Sequence, residues 1–141
     1  MLMENAFPGW VTAFQRLSES QINLITRKLF KKKEKKTEEK PPIHCINCKN
    51  VITSTESAIP VGGQHRHFFK NPVGVDYEIG CFSSAEGCIN VGHPTTEFTW
   101  FSGYSWSYAL CSRCMIHLGW FYQSTDNHFY GLILNRLTVE N

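Results

Sequence analysis

The segment "SYALCSRCMIHLGWFY", residues 107–122, places a Cys-x-x-Cys pair between two short runs that are typical of β-strands. A second Cys-x-x-Cys pair lies in "HCINCKN", residues 44–50. Two such turns can supply the four thiolates of a closed tetrahedral zinc site. We therefore predict one structural zinc ion per chain, bound by Cys45, Cys48, Cys111 and Cys114.

The wide separation of the two pairs predicts a metal that joins distant parts of one domain. Compact zinc ribbons place roughly 15–20 residues between their pairs, whereas almost half of this 141-residue chain lies between them. The alternative is two disulfides or a redox-active pair. The opening "MLMENAFPGW" lacks the basic region and apolar run of a secretion signal, so we expect a reducing, cytoplasmic compartment that favours zinc.

Four further side chains could take part in metal or redox chemistry. His44 and His117 lie close enough in sequence to serve as ligands, but four cysteines leave them no vacancy, and we interpret them as ordinary polar neighbours. Cys81 and Cys88 could form a disulfide in an oxidising setting. We expect them to be buried or partly buried free thiols.

The charge distribution divides the chain. Residues 27–40, "RKLFKKKEKKTEEK", hold eight basic and three acidic residues, whereas residues 41–141 hold five basic and seven acidic ones. A domain that binds nucleic acid needs basic groups on its folded surface, so we expect no nucleic-acid binding here. Because the basic run lacks apolar periodicity and ends at Pro41, we interpret it as a linker. The predicted organisation is a helical segment and charged linker over residues 1–40, then a domain over residues 41–141.

The N-terminal segment has the features of a short helix. Apolar residues recur at roughly helical intervals, and Ser18 and Gln21 have the spacing of a capping box. Contact of residues 1–30 with a membrane surface or a partner is one interpretation, and packing on the chain's own domain is the other. No run of transmembrane length is present. The apolar positions are Trp10, Phe14, Leu17, Leu24 and Leu29.

After Pro41 the sequence changes to short apolar or aromatic runs separated by Gly, Pro, Asn and Ser, a pattern that predicts strands and turns. We therefore predict a mostly β domain. The candidate strands are "VITSTESAIP", "HRHFFK", "VDYEIGCF", "EFTWF", "YSWSYAL", "GWFYQ" and "FYGLIL".

Three of the four tryptophans lie within residues 95–122. Turn residues at Ser102–Gly103 predict a hairpin that brings Trp100 towards Trp106. Strand alternation then predicts two sets of side chains that each share a face. The first set is Trp106, Tyr108 and Leu110, opposite Ser107, Ala109 and Cys111; the second is Leu118, Trp120 and Tyr122.

Three indoles around a gap would form rigid apolar walls that suit a small flat ligand. A packed aromatic core is the alternative structural interpretation. A cage for methylated ammonium is the alternative function, because Trp faces attract cations and Glu97 lies near in sequence. We do not expect an enzyme, since no nucleophile, base and orienting group fall together in these motifs.

One short motif is similar to part of an enzyme active site. "CIN" at residues 88–90 is similar to the catalytic motif of type B methionine sulfoxide reductases, which also carry two Cys-x-x-Cys zinc pairs. In that family the reactive cysteine follows the second pair, whereas Cys88 precedes it and has Gly87 before it. The order argues against that enzyme.

"TEFTWFSGYSWSYALCSRCMIHLGWFY", with "HCINCKN" and "FKNPVGVDYEI" upstream, resembles the thalidomide-binding (CULT) domain of cereblon over residues 45–134. The resemblance implies a β-tent fold of two antiparallel sheets pinned by zinc. It also implies a cage that takes cyclic imides such as glutarimide or succinimide, thalidomide-type ligands, or imide-bearing peptide ends. The implied walls are Trp100, Trp106, Trp120 and Tyr122, with imide hydrogen bonds from the backbone around Phe98 and Trp100 and a nearby loop at Asn71 and Pro72.

The chain departs from the vertebrate pattern of this family at two positions. Phe98 and Val73 stand where those proteins carry histidine, which concerns ligand selectivity at the rim. The Lon-like domain and helical segment with which cereblon holds its ubiquitin-ligase adaptor do not fit into forty residues. We therefore expect a stand-alone CULT protein, or a fragment of a larger one, that does not bind that adaptor by itself.

Overall fold

The computed structural model describes residues 18–37 and 40–139. Two compact units divide the chain, Met1–Glu39 and Lys40–Asn141. The apolar positions Trp10, Phe14 and Leu17 lie outside the described residues. Within the described residues, no helix is both long and apolar enough to cross a membrane.

Helix α1 spans Glu19–Thr37 in the first unit. The predicted capping box is confirmed: the Gln21 N–H donates to Ser18 Oγ at 3.2 Å, and the Ser18 N–H donates to Gln21 Oε1 at 2.9 Å. The charged run at residues 27–40, interpreted as a linker, is helical as far as Thr37. Lys, Arg and Glu are good helix formers even without an apolar stripe, so propensity and the cap support the helix there.

Over residues 40–139, the described part of the second unit, the chain forms nine strands and two short 3-10 helices. Their bounds are β1 Pro42–Cys45, β2 Val51–Ser54, β3 Arg66–Lys70, β4 Asp76–Phe82, β5 Cys88–Thr95, β6 Ser105–Cys111, β7 His117–Gln123, β8 His128–Ile133 and β9 Leu137–Val139, with η1 at Thr55–Ser57 and η2 at Leu134–Arg136.

The strands form two antiparallel sheets. One sheet has the order β2-β1-β9, and the other has the order β3-β4-β8-β7-β6-β5. The predicted fold class, mostly β with two antiparallel sheets, is therefore confirmed. Cys45 ends β1 of the small sheet and Cys111 ends β6 of the large one. The predicted zinc ligands thus belong to both sheets.

Two apolar cores lie beneath these sheets. The first packs beside the cysteine pairs, and its buried members are Ile43, Cys45, Ile52, Phe82, Ala85, Ala109, Cys111, Leu118 and Leu132. The second is aromatic, and its buried members are Ile79, Cys81, Phe101, Trp120, Tyr122, Phe129 and Ile133. Trp100 and Trp106 pack against the second core while staying partly exposed.

Gly119 allows the sheet to close between β7 and β8. A Cβ at this position would overlap the carbonyl oxygen of Gly131 and lie 2.8 Å from the Leu132 Cα, both of them backbone atoms. The close pairing Gly119↔Leu132 therefore depends on the missing side chain. Trp120 follows directly, so this pairing positions one wall of the aromatic cluster.

Local signals misplaced part of the aromatic region. The segment 97–101, predicted as a strand, forms turns and bends, so the β-hairpin expected between Trp100 and Trp106 is wrong. The turn predicted at Ser102–Gly103 is present, and the Tyr104 N–H donates to the Phe101 carbonyl across it at 3.0 Å. Trp106 pairs instead with Thr95 of β5, a strand that the sequence pattern did not indicate. Phe98 has a φ of 56°, a left-handed conformation that ends extended structure at that point.

The predicted alternation along β6 is confirmed, since Ser107, Ala109 and Cys111 are buried beneath the strand while Tyr108 is exposed. The common face predicted for Leu118 with Trp120 is wrong. A register shift between Ala109 and Leu110 pairs Leu110 with His117. Leu118 then packs in the first core, away from the aromatic one.

Candidate functional site

The four predicted zinc ligands come together. The Sγ atoms of Cys45, Cys48, Cys111 and Cys114 all lie within 4.8 Å of one another. The Sγ–Sγ distances are 3.7 Å for Cys45–Cys114 and 3.5 Å for Cys48–Cys111. Zinc–sulfur bonds of about 2.3 Å in a tetrahedron place the sulfurs about 3.8 Å apart. Donor chemistry and geometry both fit one structural zinc ion.

The two Cys-x-x-Cys turns have the same backbone geometry. The residue after the second cysteine is left-handed in each, with φ of 65° at Lys49 and 67° at Met115. Its N–H donates to the carbonyl of the first cysteine, at 2.9 Å for Lys49 to Cys45 and 2.9 Å for Met115 to Cys111. Each turn is therefore closed by its own backbone, which preorganises the thiols for a metal.

Side chains from the first turn also support the thiols of the second. A hydrogen bond from the Asn47 side chain is the largest cause that lowers the pKa of the Cys114 thiol, to about 6. Asn50 Nδ2 lies 3.7 Å from Cys111 Sγ and donates to Ser112 Oγ at 3.2 Å. Burial raises the pKa of the Cys45 thiol to about 11. Asn47 therefore favours thiolate at Cys114, the form that binds zinc.

Among the described residues, the four cysteines form the group that could bind a metal ion. The neighbouring histidines, His44 and His117, do not belong to this group. His44 Nδ1 is buried without a hydrogen-bond partner in the described structure. The His117 ring lies on the pocket side of β7, where its Nε2 is 2.7 Å from the Gly119 carbonyl oxygen. The Arg136 guanidinium donates to the His117 carbonyl at 2.6 Å.

An aromatic pocket of about 360 Å³ opens on the second core. It lies where β6 and β7 meet two loops, the β3–β4 turn and the segment that follows β5. Its lining residues are Asn71, Pro72, Tyr77, Phe98, Trp100, Trp106, Tyr108, His117, Trp120 and Tyr122.

Edge-to-face contacts fix the pocket walls. The ring centroids of Trp100 and Trp120 are 4.9 Å apart at 76°. Phe69 stacks on Trp100 at 4.8 Å, and Tyr77 meets the face of Trp120 at 5.3 Å and 84°. Such pairs add stabilisation beyond their buried area. The walls are therefore rigid before any ligand arrives.

Trp106 forms another wall and is held by a hydrogen bond. Its indole Nε1 donates to the Glu97 carbonyl oxygen at 2.7 Å. Trp106 of β6 pairs with Tyr122 of the neighbouring strand β7, and this pairing places Tyr122 at the pocket floor. Burial raises the pKa of Tyr122, so its hydroxyl stays neutral there.

The loop that carries Phe98 and Trp100 has few internal backbone hydrogen bonds. The Thr99 N–H donates to the Thr96 carbonyl, and the Phe101 N–H donates to Thr99 Oγ1. Within the described residues, the backbone N–H and C=O groups of Phe98 and Trp100 have no protein partner. Phe98 is 66% exposed at the mouth. Free backbone N–H and C=O groups at an apolar pocket can form hydrogen bonds with a polar ligand.

The β3–β4 turn presents a second polar group. Asn71 Oδ1 accepts from the N–H groups of Val73 and Val75, at 3.1 Å and 2.8 Å. Its Nδ2 has no protein partner within the described residues and is a free donor at the pocket. Pro72, beside it, restricts the turn.

Seven of the eight residues predicted for ligand binding line the pocket. Glu97 does not: its side chain is exposed, and its carbonyl oxygen holds Trp106. Sequence reasoning missed Tyr77, Tyr108 and His117 as lining residues. Alternation along β6 already placed Tyr108 on the face of Trp106, which was a usable signal. Tyr77 and His117 depend on long-range pairing and on a register shift, which no local pattern reports.

Cys81 and Cys88 are free thiols, buried and half-buried respectively, as predicted. They belong to different cores, Cys81 to the aromatic one and Cys88 to the one beside the cysteine pairs. Burial raises the pKa of each thiol to about 12. Both are therefore neutral thiols at physiological pH, with little nucleophilic character.

The fold and site define a zinc-pinned β domain with an aromatic pocket. The family described as "Yippee zinc-binding/DNA-binding /Mis18, centromere assembly" matches residues 41–138. Since this match covers more than half of the chain, the protein belongs to the Yippee-Mis18 family. The family's zinc-binding description agrees with the four clustered cysteines.

Curated relatives with the name "Protein cereblon" also match this chain. The Xenopus tropicalis protein is 31% identical over 103 residues, covering 67% of this chain and 22% of that protein. The Danio rerio protein is 30% identical over 97 residues, covering 65% and 21%. The Drosophila willistoni protein is 46% identical over 46 residues, covering 29% and 8%. The chain thus spans about a fifth or less of the length of these relatives.

Proposed function

We propose that the β domain is a cereblon-type (CULT) binding module that takes small cyclic imides into its aromatic pocket and releases them unchanged. The observation that carries this proposal is the union of three tryptophan walls with unpaired backbone amides at Phe98 and Trp100. An imide has one N–H flanked by two carbonyls, so it needs both donors and acceptors beside apolar walls.

The pocket dimensions support a small ligand. A volume of about 360 Å³ lies near the lower end of the roughly 300–1,000 Å³ range of ligand pockets. The indole faces of Trp100, Trp106 and Trp120 can cover ring methylenes, while the free Nδ2 of Asn71 can donate to a carbonyl at the rim. An imide at the end of a peptide has the same head group and could leave its chain in the open mouth.

The alternative ligand, a methylated ammonium group, has less support. Cation cages combine aromatic faces with nearby negative charge. No acidic side chain of the described residues lines this pocket. The Arg136 guanidinium carbon lies 5.9 Å from the centroid of Tyr77, which does line it. A positive charge next to the wall disfavours a cationic ligand.

We also propose that the domain is not an enzyme. Cys88, the candidate suggested by the reductase-like motif, has its pKa raised to about 12 by burial and does not line the pocket. Burial lowers the pKa of His117, the pocket imidazole, and its Nε2 is engaged with a backbone carbonyl. A neutral histidine without a neighbouring nucleophile does not form a catalytic set.

Macromolecular partners are a separate part of the proposal. The family description includes DNA binding, yet residues 41–141 carry five basic and seven acidic residues, so we propose no nucleic-acid ligand for the β domain. The comparisons give no support to the expectation that this chain fails to bind a ubiquitin-ligase adaptor, and binding of that adaptor is not part of the proposal.

Titration of glutarimide and its N-methyl form, followed by tryptophan fluorescence, tests the imide proposal. About eight non-hydrogen atoms at a ceiling near −1.5 kcal/mol per atom allow about −12 kcal/mol, so an expected affinity on the order of micromolar, about −8 kcal/mol, lies well within that limit. N-methylation removes the donor and should abolish binding. Trp106→Ala should weaken binding severely without loss of zinc, whereas Phe68→Ala, at a side chain that is 75% exposed and does not line the pocket, should leave it unchanged.

Two results would contradict the proposal and leave the aromatic cluster a purely structural role. One is equal affinity for glutarimide and its N-methyl form, and the other is an unchanged glutarimide affinity of the Trp106→Ala protein. Trimethyl-lysine serves as the competing ligand. If trimethyl-lysine binds more tightly than glutarimide in the fluorescence titration, the pocket is a cation cage and the imide proposal is wrong.

A further inference from the structure

Helix α1 presents apolar side chains to solvent. Every described side chain from residue 18 to residue 28 is exposed, including Ile22 at 38%, Leu24 at 56% and Ile25 at 46%. Most helices in proteins are stabilised by packing an apolar face rather than by propensity alone. Exposed isoleucines on a helix of this length are therefore available to a partner.

The apolar positions are not scattered evenly around the helix. Ile22 and Ile25 are three residues apart and share a face, and Leu29 continues the same spacing in the sequence. Leu24 lies two residues from Ile22, which places it about 200° around the axis, on the other side. The N-terminal half of α1 thus has one apolar stripe and one isolated apolar residue.

The C-terminal half of α1 is strongly basic. The helix sequence "ESQINLITRKLFKKKEKKT" contains seven Lys or Arg residues and two Glu residues. All seven basic residues lie between Arg27 and Lys36, whereas residues 41–141 carry more acidic than basic residues. Clusters of four to eight basic residues on an amphipathic helix are typical of contact with anionic lipid headgroups.

We propose that α1 docks on an anionic phospholipid surface, with Ile22 and Ile25 in the interface and the basic half against the headgroups. The basic residues of α1 favour an anionic partner, and the apolar stripe of Ile22 and Ile25 favours a lipid over a nucleic acid. A phosphate backbone offers no apolar surface to two isoleucines, whereas a bilayer interface does. This proposal is independent of the imide pocket and concerns where the β domain is held.

Flotation of the full chain with lipid vesicles tests the proposal. One set of vesicles is phosphatidylcholine alone, and the other contains about a third phosphatidylserine, which supplies the negative surface potential. The protein should float with the second set and not with the first, and added salt should weaken the binding. Lys32 and Lys36 lie seven and eleven residues after Ile25, on the same helical face. Replacing Lys32→Gln and Lys36→Gln should reduce affinity roughly 25-fold, at about fivefold per charge.

The apolar stripe has a matched control within the same helix. Ile22→Ser with Ile25→Ser should reduce vesicle affinity about tenfold or more. Leu24→Ser should change it less than about threefold, although Leu→Ser costs more helix propensity than Ile→Ser does. Circular dichroism of each full-length variant checks that the helix persists, and an unchanged thermal unfolding transition checks the β domain.

Three outcomes would overturn the proposal. Equal binding to neutral and anionic vesicles would remove the role of charge. No binding to anionic vesicles would exclude this lipid surface as the partner. If duplex DNA binds more tightly than vesicles do and the isoleucine substitutions leave that binding unchanged, α1 is a nucleic-acid contact.

Discussion

Trp106 and Glu97 are joined by a hydrogen bond in which the indole N–H donates to the backbone carbonyl at 2.7 Å. The bond ties a pocket wall on β6 to the loop that carries Phe98. It also explains why Glu97 contributes through its backbone while its carboxylate stays in solvent. The wall and the loop that could read a ligand are therefore coupled.

Trp106→Phe should separate these two contributions, because the phenyl ring keeps an aromatic wall but lacks the N–H donor. Loss of one hydrogen bond costs about 0.5–1.5 kcal/mol, so glutarimide affinity should fall roughly two- to tenfold. Tyr104→Phe is the control, since it removes a hydroxyl that Asn127 Nδ2 contacts at 3.2 Å away from the pocket. Equal glutarimide affinity of Trp106→Phe and the parent would show that the loop does not need this tie.

Zinc removal should unfold the β domain. Structural zinc sites contribute roughly 10–16 kcal/mol in peptides, whereas a whole domain is stable by about 5–15 kcal/mol. Cys45→Ser should therefore lose both zinc and the cooperative thermal transition. Cys81→Ala, a buried cysteine that is not a ligand, should keep its zinc and lose only packing energy. Elemental analysis that finds no zinc in folded parent protein would contradict the assignment.

Asn47→Leu should make zinc retention more sensitive to acid. The Asn47 hydrogen bond helps to hold the pKa of Cys114 near 6, below its ordinary value of 9. A depressed pKa contributes stability that is present above pH 9 and is lost as the pH falls towards 6. Without the donor the pKa rises, so the pH of half-maximal zinc release should also rise.

A chromophoric chelator measures that release across the acidic range. Asn135→Leu, at an exposed asparagine of η2, is the control and should leave the midpoint where the parent has it. A release curve of Asn47→Leu that superimposes on the parent would show that Asn47 does not tune the thiolate.

The ligands of the zinc site could be predicted from sequence because the geometry of each Cys-x-x-Cys turn is local. Each Cys-x-x-Cys turn closes on its own backbone, as the matching φ values of Lys49 and Met115 show. The alternation of β6 could be predicted for the same reason, since a period of two is a property of one strand. These features do not depend on which strands are neighbours in the sheet.

The rest of the pocket depends on neighbours. The segment 97–101 has β-forming residues, yet Phe98 adopts a left-handed turn, and Trp106 pairs with Thr95 rather than facing Trp100 across a hairpin. The register shift that brings His117 to the pocket and sends Leu118 to the other core is set by pairing between β6 and β7. The periodicity of the local sequence predicts neither the turn at Phe98 nor the register shift between β6 and β7.

Deletion of residues 1–39 should leave glutarimide affinity within about threefold of the full chain, because every lining residue lies beyond residue 40. The truncated protein corresponds to the second compact unit. Fluorescence titration of both proteins provides the comparison. A tenfold loss in the truncated protein would show that the N-terminal unit contributes to the pocket and that the predicted domain boundary is wrong.

Gly119→Ala should destabilise the domain more than ordinary glycine replacement does. The added Cβ would overlap the Gly131 carbonyl and press on the Leu132 Cα, and neither backbone group can move without separating β7 from β8. Overpacking of this kind costs about 1–3 kcal/mol or more. Gly63→Ala is the matched control, because Gly63 has a φ of 87° and open space around its Cβ position, so it reports conformational strain alone, about 1 kcal/mol.

Since Trp120 follows Gly119, the Gly119→Ala protein should also bind glutarimide more weakly at temperatures where it remains folded. Thermal unfolding curves of the two variants decide the matter: a melting temperature for Gly119→Ala at or above that of Gly63→Ala would mean that the sheet can open at this point without loss of stability.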